Sequence, residues 1–253
     1  MARSFAVIEV PYNMGVEGVG AGAGPAKLIE ADVASTLAYR DMPAQVEHVR
    51  MRDMRSRGLD AVVDVNRLVR AAVRTAIDQE SIPVVLAGNC VTAVGVLAGM
   101  ERDDIGIVWL DRHPDFHTPA TSRSGWLDGM ALAIAAGHCH DDLRLRSGLA
   151  AAVSEDRICL PFSWDVEPGE RERLDVSAIS GEYPLSAGAI YLHLDVDVVG
   201  AGGENMERAF DIARVVMNEL PVAAVCVANY NPETDSDGAG LQRAIRLIRA
   251  LTE

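Results

Sequence analysis

Positive charge is scarce in this chain: Lys27 is its only lysine, and 23 basic residues face 37 acidic ones for a formal net charge of −14. That balance argues against nucleic acid and against an anionic membrane as partners. Aromatic residues make up only 5% of the chain, against 49% apolar residues in all. The core must therefore be built from Ala, Val, Leu and Ile. Cysteine is limited to Cys90, Cys139, Cys159 and Cys226, whose spacing fits neither a zinc knuckle nor a disulfide framework. No apolar run approaches membrane-spanning length, and the start Met1-Ala-Arg-Ser-Phe5 has no secretory core. These absences predict a soluble, reduced, cytoplasmic protein. With no repeat, linker or low-complexity tract, the 253 residues suit one large α/β domain over 1–253.

What is present centres on Trp109-Leu-Asp111-Arg-His113-Pro-Asp115-Phe-His117-Thr-Pro119. It follows a short β-branched run from Ile105 to Leu110, which reads as a buried parallel strand. Side chains alternate along an extended chain, so Asp111, His113 and Asp115 leave the strand end on one side. Two carboxylates and an imidazole there suit a divalent metal; a polar strand exit whose Asp and His cap the next segment is the plainer alternative. A second copy of the pattern favours metal. The run Ala189 to Leu194 ends in Asp195-Val-Asp197, and crowded buried carboxylates are costly unless a cation neutralises them. Two strands of one parallel sheet ending in acids point to a shared site at its carboxyl edge.

In chain order, the pattern predicts strands over 5–10, 45–50, 82–87, 157–160 and 222–227. Helices are expected from Pro25 to about Leu37, and over 59–79, 91–100, 205–220 and 240–251. A short alanine-rich helix should reach about Ala136. The glycines at positions 15, 18, 20, 22 and 24 are wrongly spaced for a pyrophosphate turn, and a flexible active-site loop is the better reading. Cys90, at a strand-to-helix turn, is ordinarily a small buried hydrophobe; its place just before the Asp111 strand gives it added weight, and helix amides there favour a thiolate. His138-Cys-His-Asp-Asp142 reads as a solvated connector. Asp165, Glu167 and Glu170 open a helix where its dipole welcomes acids.

These residues carry a family resemblance. Asp111-Arg-His113-Pro-Asp115 with Thr118-Pro119, and Asp195-Val-Asp197, match the two most specific signatures of the arginase (ureohydrolase) family. Gly88-Asn89-Cys90 is similar to the family's Gly-Asp-His turn, and Ser124-Gly-Trp-Leu-Asp128-Gly129 to its Ser-Gly-Asn-Leu-His-Gly. Asp165-Val-Glu167-Pro-Gly-Glu170 resembles Asp-Val-Asp-Pro-Gly-Glu, and Asn229-Tyr-Asn-Pro232 resembles Glu-Val-Asn-Pro. The resemblance covers essentially the whole chain.

It implies a three-layer αβα fold around a mainly parallel eight-stranded sheet, with one or two Mn²⁺ at its carboxyl edge. One ion falls to Asp111, His113, Asp195 and Asp197, the other to Asp111, Asp115, Asp195 and Cys90. A hydroxide formed from water between the ions then attacks a guanidinium or amidine carbon. Asp115, His117 and Asp128 stand at the catalytic positions, and His117, Ser124, Glu167, Glu170 and Asn229 at those that hold substrate. A homo-oligomer, trimer or hexamer, is also implied. Three departures stand out: Cys90 replaces a ligand histidine, Asp128 a proton-shuttling histidine, and Asn229 a guanidinium-pairing glutamate. The expected activity is metal-dependent C–N hydrolysis of a small guanidino or amidino amino-acid compound, arginine-like or N-hydroxyarginine-like. The rivals are formiminoglutamate-type hydrolysis and a non-catalytic metal-binding homologue. A different divalent metal at the Cys90 position is a further expectation.

Overall fold

The computed structural model describes residues 4–38, 42–51 and 58–253; Met1 to Arg3, part of the segment read for a secretory core, lie outside them. β1 (Phe5–Val10) is followed by a small antiparallel ribbon of β2 (Tyr12–Asn13) and β3 (Val16–Glu17). Then come α1 (Gly24–Glu30), α2 (Val33–Thr36), β4 (Gln45–His48), α3 (Leu59–Asp78), β5 (Ile82–Ala87) and α4 (Ala93–Met100). β6 (Ile105–Leu110), α5 (Ala131–Ala135), α6 (Asp141–Arg146), β7 (Ile158–Phe162) and α7 (Pro168–Leu174) follow. β8 (Ala189–Asp195), α8 (Met206–Glu219), β9 (Val222–Ala228) and α9 (Ala239–Arg249) complete the order.

Seven of these strands form one parallel sheet in the order β4-β1-β5-β9-β8-β6-β7. The run from β5 to β7 is buried on both faces, as its continuous apolar sequences require. Two cores lie on opposite faces. One packs α3, α4 and α5 against Trp109, Tyr191 and Cys226. The other packs α1, α2, α8 and α9 against Val84, Leu192 and Val225. α4 is buried on every side; Gly95 makes its approach to α3 possible, since a Cβ there would meet Asn66 O at 2.6 Å.

Three expectations change. The sheet has seven strands among the described residues, not eight. Beyond β7 a single parallel bridge joins Cys159 to Ser180, with Leu160 N donating to Ser180 O at 2.7 Å, and no longer ladder forms among the described residues. The helix from Pro25 to Leu37 is two pieces, broken where Asp32 takes a left-handed φ of 59°. The glycine segment packs rather than lining the site cavity: Gly20 N donates to Glu233 Oε1 at 3.1 Å, and Gly24 lies so close to Tyr230 O that no side chain fits. His138 does sit in a connector, paired with Glu155 at 2.7 Å, but Asp141 and Asp142 open α6, which the sequence pattern did not disclose.

Candidate metal centre and active site

The sheet order puts four strand ends side by side. β5 leads into Cys90, β9 into Asn229, β8 ends in Asp195, and β6 leads into Asp111. Parallel register aligns Ala87 with Ala228, and Ala228 with Asp195. All four therefore meet at the carboxyl edge, where crossovers leave room for a ligand. Two of the site residues have left-handed backbones, Asp115 (φ 48°) and Asn229 (φ 66°). Asp115 is held there because its carbonyl accepts from Leu132 N and Ala133 N at 3.1 and 3.2 Å. Such conformations persist only where their surroundings enforce them.

The ligating atoms form two corners that share Asp111. In the first, His113 Nδ1 lies 3.2 Å from Asp197 Oδ2 and 3.5 Å from Asp111 Oδ1. The His113 amide donates to Asp111 Oδ1 at 2.7 Å, and the Asp197 amide to Asp195 Oδ1 at 2.8 Å. Hydrogen bonds to Asp111 and Asp197 push the His113 imidazole up to about 11. Burial works against Asp197, yet His113 holds it below its ordinary value.

In the second corner, Cys90 Sγ lies 3.1 Å from Asp195 Oδ2, 4.0 Å from Asp111 Oδ2 and 3.3 Å from His193 Nε2. Burial raises the Asp111 carboxyl to about 7 and pushes Asp195, Asp115 and the Cys90 thiol well up, with their mutual repulsion adding to the effect. Burial carries His193 the other way, to about 3. His193 was hidden inside an apolar run; its one signal was the two-residue alternation that sets it on the side of Asp195 and Asp197. Its ring stacks on Trp109 at 3.6 Å, while Trp109 Nε1 donates to Asp111 Oδ2 at 3.2 Å.

Asp111, His113, Asp115, Asp128, Asp195, Asp197 and Asn229 line one cavity of about 330 Å³, together with His117, Ser124, Glu167 and Glu170 at its outer end. Cys90 lies directly beneath, fully buried. Asp128 Oδ1 accepts from the Cys90 and Val91 amides at 2.6 and 3.3 Å, so it fixes the turn that carries the cysteine. Burial raises its carboxyl to about 6. Asn229 Nδ2 donates to Asp195 Oδ2 at 2.6 Å and to Cys90 Sγ at 3.2 Å.

At the outer end, Glu170 is buried and saturated. Phe116 N donates to its Oε1 at 3.0 Å, while Oε2 receives Glu167 N at 3.3 Å and lies 3.3 Å from His117 Nε2. Glu170 and Glu167 also form the capping box of α7. Glu167 stands half-exposed, 3.7 Å from His117 Nε2. Asp165 pairs with Arg112 at 2.6 Å and lies 3.8 Å from His113 Nε2. Ser124 sits exposed at the rim, its Oγ accepting from Trp126 N at 3.2 Å.

The donors fit divalent cations. Carboxylates and an imidazole in the first corner suit a hard ion, and the second adds sulfur. Asp115 Oδ2, buried with no hydrogen-bond partner, is an acceptor for which a cation accounts.

Comparison with known proteins identifies relatives of the chain and of its fold. The arginase of Bacillus subtilis is 30% identical over 189 residues, covering 71% of this chain and 64% of that protein, just under two thirds of its length. Among solved structures, Bacillus cereus arginase superposes with a TM-score of 0.86 at 21% identity, covering 98% of both chains. The formimidoylglutamase of Bacillus subtilis shares the fold at a TM-score of 0.71 and 12% identity, over 99% of this chain and 86% of that one. The arginase family model matches residues 3–252, nearly the full length, and the chain belongs to that family.

Proposed function

We propose that the protein is an amidinohydrolase-type enzyme that cleaves a C–N bond of a guanidino-type amino-acid compound, arginine-like or N-hydroxyarginine-like, with Mn²⁺ as its first metal. The observation that carries this reading is one cavity with Asp111, His113, Asp195 and Asp197 at its floor and Glu167 and Glu170 at its mouth. Asp111, His113, Asp195 and Asp197 hold the first ion; Cys90, Asp111, Asp115 and Asp195 border the second position. Bound divalent ions supply Lewis acidity and lower the pKa of water.

The protein's own groups do the rest. Glu167, the freer of the two glutamates, takes the substrate's α-ammonium, while Glu170 anchors His117 and the start of α7. His117 and Ser124 border the amino-acid head and set its distance from the floor. Asp115 would accept a hydrogen bond from the attacking water through the carboxylate oxygen that does not meet a cation. Asp128, with a carboxyl raised to about 6 by burial, takes up that proton and returns it to the leaving nitrogen near neutral pH. Asn229 meets the far end of the substrate with an amide in place of a carboxylate. We further take the chain to act in the cytoplasm as one α/β domain within a homo-oligomer, trimer or hexamer, which light scattering tests.

The Asn229 amide favours a second reading. A neutral partner suits a weakly charged formimino group better than a full guanidinium, as in formiminoglutamate hydrolysis. Urea and ammonia release across arginine, N-hydroxyarginine, agmatine and formiminoglutamate separates the two readings. Release of urea from the guanidino amino acids alone supports the first; ammonia from the formimino compound alone supports the second. No release from any of them, with metal bound, indicates a non-catalytic homologue. If Glu167 holds the ammonium, decarboxylated or N-acetylated forms of the substrate bind about ten- to a hundredfold more weakly, the loss of one charge-assisted hydrogen bond.

A further inference from the structure

We propose that Cys90, His193, Asp195 and Asp111 form a mixed sulfur, nitrogen and oxygen site for a thiophilic divalent cation, zinc by preference, so that the centre takes two different metals. This rests on the reading of the cavity as a metal centre and names which ion each corner takes. Four ligand atoms, one from each side chain, lie within 4.8 Å of one another. Cys90 Sγ and His193 Nε2 come from strand ends 103 residues apart in sequence and stand 3.3 Å from each other. A tetrahedral zinc ion, with Zn–S of about 2.3 Å and Zn–N of about 2.0–2.1 Å, sets its sulfur and nitrogen ligands roughly 3.5 Å apart. The spacing needs little adjustment.

His193 is built like a ligand. Its ring is fully buried, stacked on Trp109, and tied at Nδ1 to the Tyr191 hydroxyl at 2.7 Å. An outer partner on one ring nitrogen fixes the orientation of the other, which is how metal-bound histidines are generally held. Here that other nitrogen points at sulfur. Independent of this pair, Asp115 Oδ2 is buried in the same cavity with no partner, an oxygen for which a cation beside Asp111 and Asp195 accounts.

Ion preference follows from the donors. A thiolate is a soft ligand that selects zinc over manganese, whereas the Asp111, His113 and Asp197 corner offers only oxygen and imidazole. On binding, the thiol proton leaves to bulk solvent and the Asn229 amide gives up its bonds to Cys90 and Asp195, whose lone pairs the ion takes.

The test reads metal, not hydrolysis, so it stands whether or not the chain turns over any substrate. The full chain is stripped with chelator, loaded with Mn²⁺, with Zn²⁺, with both, or with Co²⁺, then desalted and analysed for metal and by absorption. The expected result is one tightly held manganese from Mn²⁺ alone, and one manganese with one zinc from the mixture. Cobalt should give a near-ultraviolet thiolate charge-transfer band. C90S should lose that band. H193Q, whose amide can still meet Tyr191, should hold the second ion on the order of 10–100-fold more weakly. Both variants should keep the single manganese of the first corner, which also reports that they fold. Two tightly held manganese ions in the unaltered chain, absence of the cobalt–sulfur band, or H193Q matching the unaltered chain would each overturn the proposal.

Discussion

The two corners of the centre share Asp111 and lie on adjacent strand ends, yet they handle charge in opposite ways. His113 and Asp197 have side chains 44% and 39% exposed, and without a metal their contact pushes the imidazole up to about 11, so a cation bound there takes the place of its proton. Cys90 and His193, 1% and 0% exposed, stay neutral, with the thiol pushed up and the imidazole down to about 3. Water and a counter-charge are available in the first corner and missing from the second. The lesson is that ligand type and solvent access change together. The open corner has only oxygen and imidazole donors, and the closed corner adds the Cys90 sulfur to them.

Removing a carboxylate that contacts both corners should have the largest effect. Asp195 lies against Cys90, Asn229 and Asp197, so Asp195→Ala should lose both ions and all hydrolysis, with metal affinity down at least about 100-fold. Calorimetric titration with Mn²⁺ and Zn²⁺ checks it. An Asp195→Ala protein with full metal content would break the comparison at its base.

Next comes the change that makes the corners alike. Cys90→His places imidazole in the closed corner, where manganese accepts it. Manganese stoichiometry after identical loading and desalting should rise from near one toward two per chain, and zinc preference should weaken. Stoichiometry unchanged from the parent would mean that solvent access, not donor softness, separates the corners.

Trp109→Phe acts on both corners without touching a ligand's identity. It removes the donor to Asp111 Oδ2 and alters the surface on which His193 stacks. An unmet buried acceptor costs about 1–3 kcal/mol, which in a chain of this size lowers the melting temperature by roughly 2–4 °C per kcal/mol. Thermal unfolding of the metal-free protein measures this. A melting temperature equal to the parent's would show that Asp111 does not depend on the indole.

The smallest effect belongs to a cysteine outside the centre. Cys139 is half-buried near the His117 carbonyl, its thiol pushed up to about 11 chiefly by burial. Cys139→Ser should leave metal content and the cobalt spectrum unchanged and shift stability by no more than about 1 kcal/mol. Any loss of the cobalt band in this variant would move the sulfur ligand away from Cys90.

The sequence by itself determined the first corner and most of the strands. Asp111 and His113, like Asp195 and Asp197, stand two residues apart where β6 and β8 end, a spacing that the local sequence displays without a partner strand; the left-handed Asp115 is aimed instead by its bonds to α5. The apolar runs before them announced buried parallel strands for the same local reason. Tertiary structure alone decided the second corner. His193 faces Cys90 only because β9 sits between β5 and β8 and holds their ends level, and strand order depends on long-range pairing that no window of sequence contains. The saturation of Glu170 has the same origin, since Phe116 N and His117 come to it from a loop more than fifty residues earlier. So does the count of seven strands among the described residues, since the pairing beyond β7 amounts to the one bridge between Cys159 and Ser180. Local alternation aims a side chain, but only the packed sheet determines which atom it meets.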